Sequence, residues 1–150
     1  MSEMLGNRHL LALRFADAIP HFEASLHRHP EDDGTIRKLL FCHALLGHRD
    51  EVRGLLPDLT RARTPQACLP KGPVAGSPAI PVELRDEVRA HADELGPGRV
   101  HLALALASED TRTATRELDF VPVDSAEADW RREILEAVQT ERKATDANTN

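Results

Sequence analysis

The sequence predicts a mainly α fold: helix-turn-helix hairpins stacked as a fragment of an α-solenoid, joined to a small C-terminal unit. Three observations lead there. One hydrophobic pattern occurs twice between Leu5 and Leu59 at a displacement of about 34 residues, so that Leu5 returns as Leu39, His9 as His43, Ala18 as Val52, Phe22 as Leu56 and Ser25 as Leu59. A repeat of this length is a supersecondary unit that cannot bury its apolar face alone and stacks on its neighbour. Within each copy the apolar residues recur at helical spacing. Proline and glycine clusters then punctuate the chain where those runs stop.

The first helix runs from Glu3 to Leu13, where Leu5, Leu10, Leu11 and Leu13 recur among good helix formers. A turn near Arg14 leads to the second, whose Ala18, Phe22 and Leu26 form an i, i+4, i+8 stripe with Ile19 beside it. Pro20 falls close to the first turn of that helix, where a missing N–H costs least. His29-Pro30 ends it, because the residue before a proline is pushed away from helical angles. Glu31-Asp32-Asp33-Gly34 is a turn in which Asp33 or Thr35 can cap the next helix. Ile36, Leu39, Leu40, His43, Leu45 and Leu46 mark that third helix, and Gly47 supplies its stop. Asp50 to Leu59 reads as the fourth, with Val52, Leu55, Leu56 and Leu59 inward and Pro57 kinking or shortening it.

At the residues of this pattern the chain resembles a tetratricopeptide repeat (TPR) protein. Leu5-Gly6 stands where that repeat has its Leu-Gly pair, Ala18, Phe22 and Pro30 stand where it has Ala, Phe and the closing Pro, and His9 replaces the usual Tyr. In the second copy Leu39 is in place and Gly47 occupies the turn Gly, whereas Leu40 is bulky where Gly or Ala is preferred, and Val52 and Leu59 replace Ala. The resemblance covers residues 1–63. It implies that the inner face of the first helix of each repeat is the functional surface. Carried over residue by residue, that face comprises Glu3, Asn7, Leu10 and Leu11 from the first repeat, and Arg37, Phe41, Ala44 and Leu45 from the second. Phe41 facing a groove would anchor a partner segment; the alternative is burial beneath the C-terminal unit. TPR domains that grip a terminal carboxylate use Lys and Asn here. Asn7 matches, but Glu3 stands where Lys is wanted, which counts against such a clamp.

Between Thr64 and Pro81 the helical pattern gives way to five prolines alternating with Gly72, Gly76 and Ser77, the composition of a linker. Residues 82–142 then form a small capping unit. Pro81-Val82 opens a helix from Glu83 to Leu95, closed by Gly96-Pro97-Gly98. Val100, Leu102, Leu104 and Leu106 alternate at period two, as do Thr111, Thr113 and Thr115 beyond the turn signal Ser108-Glu109-Asp110. That alternation favours a β-hairpin within residues 99–123, while the intervening alanines favour a third, degenerate helix pair. Asp124 and Glu127 form a capping box for a final helix whose Trp130, Ile134, Ala137 and Val138 share a face. Residues 143–150 read as a disordered tail.

Composition narrows the function. A net charge of -6, with 3% aromatic residues and no Tyr, argues against a nucleic-acid partner. There is no basic region leading into an apolar core at the start, and no apolar run of about 18 residues, so neither a secretory signal nor a membrane partner is expected. Cys42 and Cys68 make no zinc-type or redox spacing, and a cytoplasmic setting is the expectation. Eight histidines raise the question of a metal. His9 and His43 occupy equivalent positions on neighbouring helices about 10 Å apart, whereas zinc needs three or four ligands at about 2 Å. Cys42 and His48 fall at the wrong helical angle from His43. The histidines are therefore expected to take the place of an aromatic, with no metal and no cofactor. Cys42 points about 100° away from His43 along the helix and reads as a core filler. The chain thus reads as a non-enzymatic protein-protein interaction module, an adaptor, scaffold or chaperone-like protein. It would bind a partner polypeptide through Asn7, Leu10, Leu11, Arg37, Phe41 and Leu45, and its exposed ends could pair as a homo-oligomer. The alternatives are a permanent structural subunit of a larger complex, and a small regulatory or enzymatic domain in the C-terminal half.

Overall fold

The computed structural model describes residues 2–30, 32–62, 80–108 and 111–137. Glu31, the linker with Cys68, the Glu109-Asp110 pair, Val138 and the polar tail lie outside the described residues, as does the side chain of Leu59. The elements are α1 (Ser2–Leu11), α2 (Phe15–Arg28), α3 (Asp33–Leu46), α4 (Arg49–Ala62), α5 (Val82–Ala90), α6 (Ala92–Leu95), α7 (Pro97–Ala107) and α8 (Thr111–Asp119). A last helix, α9, occupies 128–137. Among the described residues every regular element is helical. None of these helices is long and apolar enough to cross a membrane.

The first four helices pack in succession, α1 on α2, α2 on α3 and α3 on α4. The starts of α2 and α4, Phe15 and Arg49, are 34 residues apart, the displacement of the hydrophobic pattern. Helix α4 continues past Pro57 to Ala62 rather than ending early. The turns between helices follow from local chemistry. Leu13 takes a left-handed conformation (φ 62°) after α1. Asp32, rather than Asp33 or Thr35, caps α3: its carboxylate accepts from the Gly34 N–H at 3.1 Å and from the Thr35 hydroxyl at 2.9 Å. After α3, Gly47 sits at φ 78°, the Gly47 N–H donates to Ala44 O and the His48 N–H donates to His43 O, the paired bonds of a Schellman stop.

Ala18 and Phe22 are buried, as are Val52 and Leu56 at the equivalent positions of the second hairpin. Gly6 explains how closely α1 approaches α2. A Cβ built on Gly6 would lie 2.7 Å from Cε1 of Phe22, so the ring packs directly on the α1 backbone.

The β-hairpin expected within residues 99–123 is not formed; α7 and α8 occupy those residues. The period-two signal failed because the residues between the leucines are alanines, so both parities are apolar and the segment has no polar face to turn outward. Leu and Ala are among the strongest helix formers, and a helix apolar all round belongs in a core. In α7, Gly98, Val100 and every residue from Leu102 to Ala107 are buried. Thr113 and Thr115 do not form the inner face of α8 either. Ala114 and Leu118 do, four residues apart, and Val121 is buried just beyond the helix end.

Two boundaries also differ from expectation. The helix foreseen for Glu83–Leu95 breaks at His91 into α5 and the single turn α6. Gly96, at φ 101°, then ends α6 and directly precedes Pro97, the first residue of α7. The Asp124–Glu127 box caps nothing: the Ser125 hydroxyl donates to Pro122 O at 2.6 Å in a turn, and α9 begins only at residue 128. Its Trp130 and Ile134 are buried.

Helix α7 makes its most extensive packing against α3. In α3 the residues buried are Thr35, Ile36, Arg37 and all from Leu39 to Leu45. These two helices form the middle of the core. Polar contacts bring α9 to the first hairpins and to α8: Arg49 and Arg53 donate to Glu133 at 2.6 and 2.8 Å, and Arg131 Nε donates to Leu118 O at 2.9 Å.

Gly6→Ala tests the α1–α2 contact. Helix propensity alone would make it stabilising by about 1 kcal/mol, whereas overpacking against Phe22 costs about 1–3 kcal/mol. Urea denaturation is expected to show a net loss for Gly6→Ala, with part of it recovered in Gly6→Ala/Phe22→Leu. A gain in stability from the single substitution would contradict the packing.

Candidate functional site

The residues assigned to an inner, partner-binding face do not stay together on a surface. Leu10, Arg37, Phe41 and Leu45 are between 0 and 3% exposed, Asn7 is half-buried, and Leu11 is 56% exposed on the other side of α1. Phe41 meets the edge of Phe15 with ring centroids 6.1 Å apart. The inner face of α3 is covered by α7 of the same chain, which is the burial beneath the C-terminal unit that stood as the alternative for Phe41. As folded, Arg37, Phe41 and Leu45 offer no surface to a partner.

Arg37 has a specific task there. Its Nη1 donates to Leu106 O at 3.0 Å and to Ser108 O at 2.9 Å, and its Nε lies 3.4 Å from a carboxylate oxygen of Asp33 one turn earlier. A helix leaves its last carbonyls without partners and carries partial negative charge at that end. The guanidinium meets both needs at the end of α7. The Ser108 hydroxyl supplements it by donating to Leu104 O at 2.8 Å. Nothing in the spacing of the sequence announces this role, because the acceptors are backbone carbonyls far along the chain.

A second grouping lies where α3 turns into α4. The Nδ1 atoms of His43 and His48 are 3.0 Å apart, with ring centroids at 5.2 Å. The Glu51 carboxylate joins them, one atom from each residue lying within 4.8 Å of the others. The expectation that His48 points away from His43 was based on a continuing helix. Gly47 interrupts that helix and folds His48 back. Burial pushes His43 below the ordinary histidine range, the neighbouring His48 adds to this, and Glu51 opposes it. His43 and Glu51 also line a cavity of about 400 Å³ between α2, α3 and α4, together with Leu26, Leu39 and Leu55. His9, the repeat-equivalent of His43, has a different partner: it stacks on His21 at 5.4 Å.

A further polar cluster joins three of the C-terminal helices. Glu117, 6% exposed, accepts from Arg89 at 2.8 Å and lies 3.0 Å from Nδ1 of His101, linking α5, α7 and α8. Burial pushes its pKa up, but the hydrogen bonds from Arg89 and His101 together outweigh this and hold it below the usual carboxylate range. Cys42 is buried and free, and burial pushes its thiol up to about 12, which removes it as a nucleophile near neutral pH.

Replacing Arg37 by Met keeps most of the volume and leaves the Leu106 and Ser108 carbonyls without their cationic donor. A loss of about 2–4 kcal/mol in chemical denaturation is expected. A loss below about 1 kcal/mol would show that the guanidinium does not hold α7. No protein-family model, curated protein or solved structure matches the chain.

Proposed function

We propose that this chain is a non-enzymatic interaction module of TPR-like helical hairpins that binds a helix of another polypeptide along α1. One observation carries the reading. Met4, Leu5 and Leu11 are 66, 42 and 56% exposed, and on a helix with about 100° per residue they fall in one sector about 120° wide. Met4 and Leu11, seven residues apart, lie almost on one line, Leu5 lies beside them, and Arg8 and Ala12, also exposed, lie between. An apolar stripe with an i, i+7 repeat is the surface along which helices pair.

The TPR-like assignment is supported by the starts of α2 and α4, Phe15 and Arg49, which share the 34-residue displacement of the hydrophobic pattern, and by the close seat of Phe22 on Gly6. With α3 packed against α7, the exposed large apolar residues of this half among the described residues, Met4, Leu5 and Leu11, lie on α1. Arg8, set within the stripe, favours a partner helix that carries an acidic residue beside its apolar seam. A catalytic unit in the C-terminal half would need convergent polar groups in a pocket. Arg89, Glu117 and His101 are instead engaged with one another.

The test is a photo-crosslinking side chain placed at Leu11 and, separately, at the exposed Val123, with the chain returned to extract of its native host. A defined crosslinked polypeptide is expected from position 11 only, and it should disappear when Met4→Glu and Leu5→Glu are added while the far-ultraviolet circular dichroism stays unchanged. Sedimentation of the pure chain tells whether the captured helix belongs to a second copy. Equal capture from both positions, or capture that survives the glutamates, would overturn the reading.

A further inference from the structure

The turn from α3 into α4 gathers three side chains of metal-ligating type, and the backbone fixes two of them. Gly47 at φ 78° folds the chain back so that the His48 N–H donates to His43 O at 2.8 Å. The two histidines are therefore joined through their own main chain, and their separation does not depend on a loose loop. His48 O in turn accepts from the Val52 N–H at 3.1 Å, which sets the first turn of α4 and brings Glu51 to the same side, three residues on. An ordinary side chain at position 47 would disturb this: its φ is left-handed, and a Cβ there would lie 2.7 Å from the Arg99 guanidinium carbon.

The separations fit one ion. With metal–nitrogen bonds of about 2.0–2.1 Å, two imidazole nitrogens on a single metal stand about 2.9 Å apart at a right angle and about 3.4 Å apart at the tetrahedral angle. The Nδ1 atoms of His43 and His48 are 3.0 Å apart, inside that interval. Glu51 already has a carboxylate oxygen within 4.8 Å of a ring nitrogen of each histidine. Its side chain is exposed and has room to change rotamer toward the two rings. Two neutral imidazoles facing each other through Nδ1 can share only one proton between them. With both protons on Nε2, both Nδ1 lone pairs are available to a cation.

Donor type selects the cation. Two imidazoles and a carboxylate suit zinc and its neighbours among divalent transition metals, whereas calcium and magnesium require oxygen ligands. We infer that His43, His48 and Glu51 form a binding site for one zinc-class divalent cation, with a fourth position open to water. Three protein ligands with an open position is the arrangement of an accessible zinc site. His43 is the buried ligand at 5% exposure, while His48 and Glu51 are exposed, so an ion enters from solvent and is seated against the core. Two of the three ligands, His43 and Glu51, line the cavity of about 400 Å³ between α2 and α4, beside Leu26, Leu39 and Leu55. A bound ion would fasten the end of α3 to the start of α4. The site departs from the metal-free expectation of the sequence and is independent of the α1 surface.

The experiment uses the full chain without an affinity tag and zinc ion alone as the probe, followed by calorimetric titration and thermal unfolding, with cobalt(II) absorption reporting ligand geometry. One zinc per chain is expected with a dissociation constant of about 10 μM or tighter, a melting temperature that rises with zinc as linkage requires, and no competition from millimolar magnesium. His48→Ala and Glu51→Gln change exposed side chains and leave the apo fold intact. The first should weaken binding at least a hundredfold and the second about tenfold. His21→Ala, which breaks the stacked His9–His21 pair, should leave binding unchanged. Absence of stoichiometric binding, binding that survives His48→Ala, or binding lost with His21→Ala would overturn the site and leave His43 and His48 as a hydrogen-bonded pair.

Discussion

A buried guanidinium decides how this chain closes on itself. Arg37, 2% exposed, holds the carbonyls of Leu106 and Ser108 while Asp33 stands 3.4 Å from its Nε. Taking such a charge out of water is costly unless its protons are used and a counter-charge is near. The end of α7 supplies carbonyl oxygens and the negative end of a helix dipole; the first turn of α3 supplies the carboxylate. Sliding α7 by one turn would move those carbonyls about 5 Å and strand the charge, so Arg37 fixes the register of α7 on α3 as well as the contact.

The two halves are held by different forces. The hairpins α1–α4 rest on apolar packing, with Phe22, Phe41 and Ile36 wholly buried. The polar contacts gather where the later helices meet one another, α3 and α4. Arg53 and then Arg49 hold the Glu133 carboxyl down to about 2, through direct hydrogen bonds between α4 and α9. These pairs are partly exposed, so they specify orientation more than they add stability. The net effect is a bundle whose middle is α3 and α7, with α9 joined to both the first hairpins and α8.

The first half was legible because its information is periodic and local. Phe22 and Leu56 are buried at equivalent places, Gly47 stops α3, and His29-Pro30 ends α2, each for a reason contained within a few residues. The second half was not. Leu-Ala alternation in α7 carries a period of two and a composition of helix, and only the burial of both parities against α3 decides between them. The same limit applies to the site residues. Phe41 and Leu45, assigned to a partner face by the repeat pattern, are buried in α3, which packs against α7, a helix from beyond the proline-rich segment. The meeting of His43 with His48 depended on one left-handed glycine, which periodicity along a continuous helix cannot express.

With α7 seated on α3, the inner face belongs to the core, and the outer face of α1 is the surface proposed for partner recognition. Native-state hydrogen exchange measures that seating directly. Amides of α7 from His101 to Ala107 are expected to exchange only through global unfolding, with the same free energy of opening as the amides of α3 around Phe41. Rapid local exchange of α7 while α3 stays protected would mean that α7 leaves the face freely, and the inner face would then be an open groove rather than the centre of the fold.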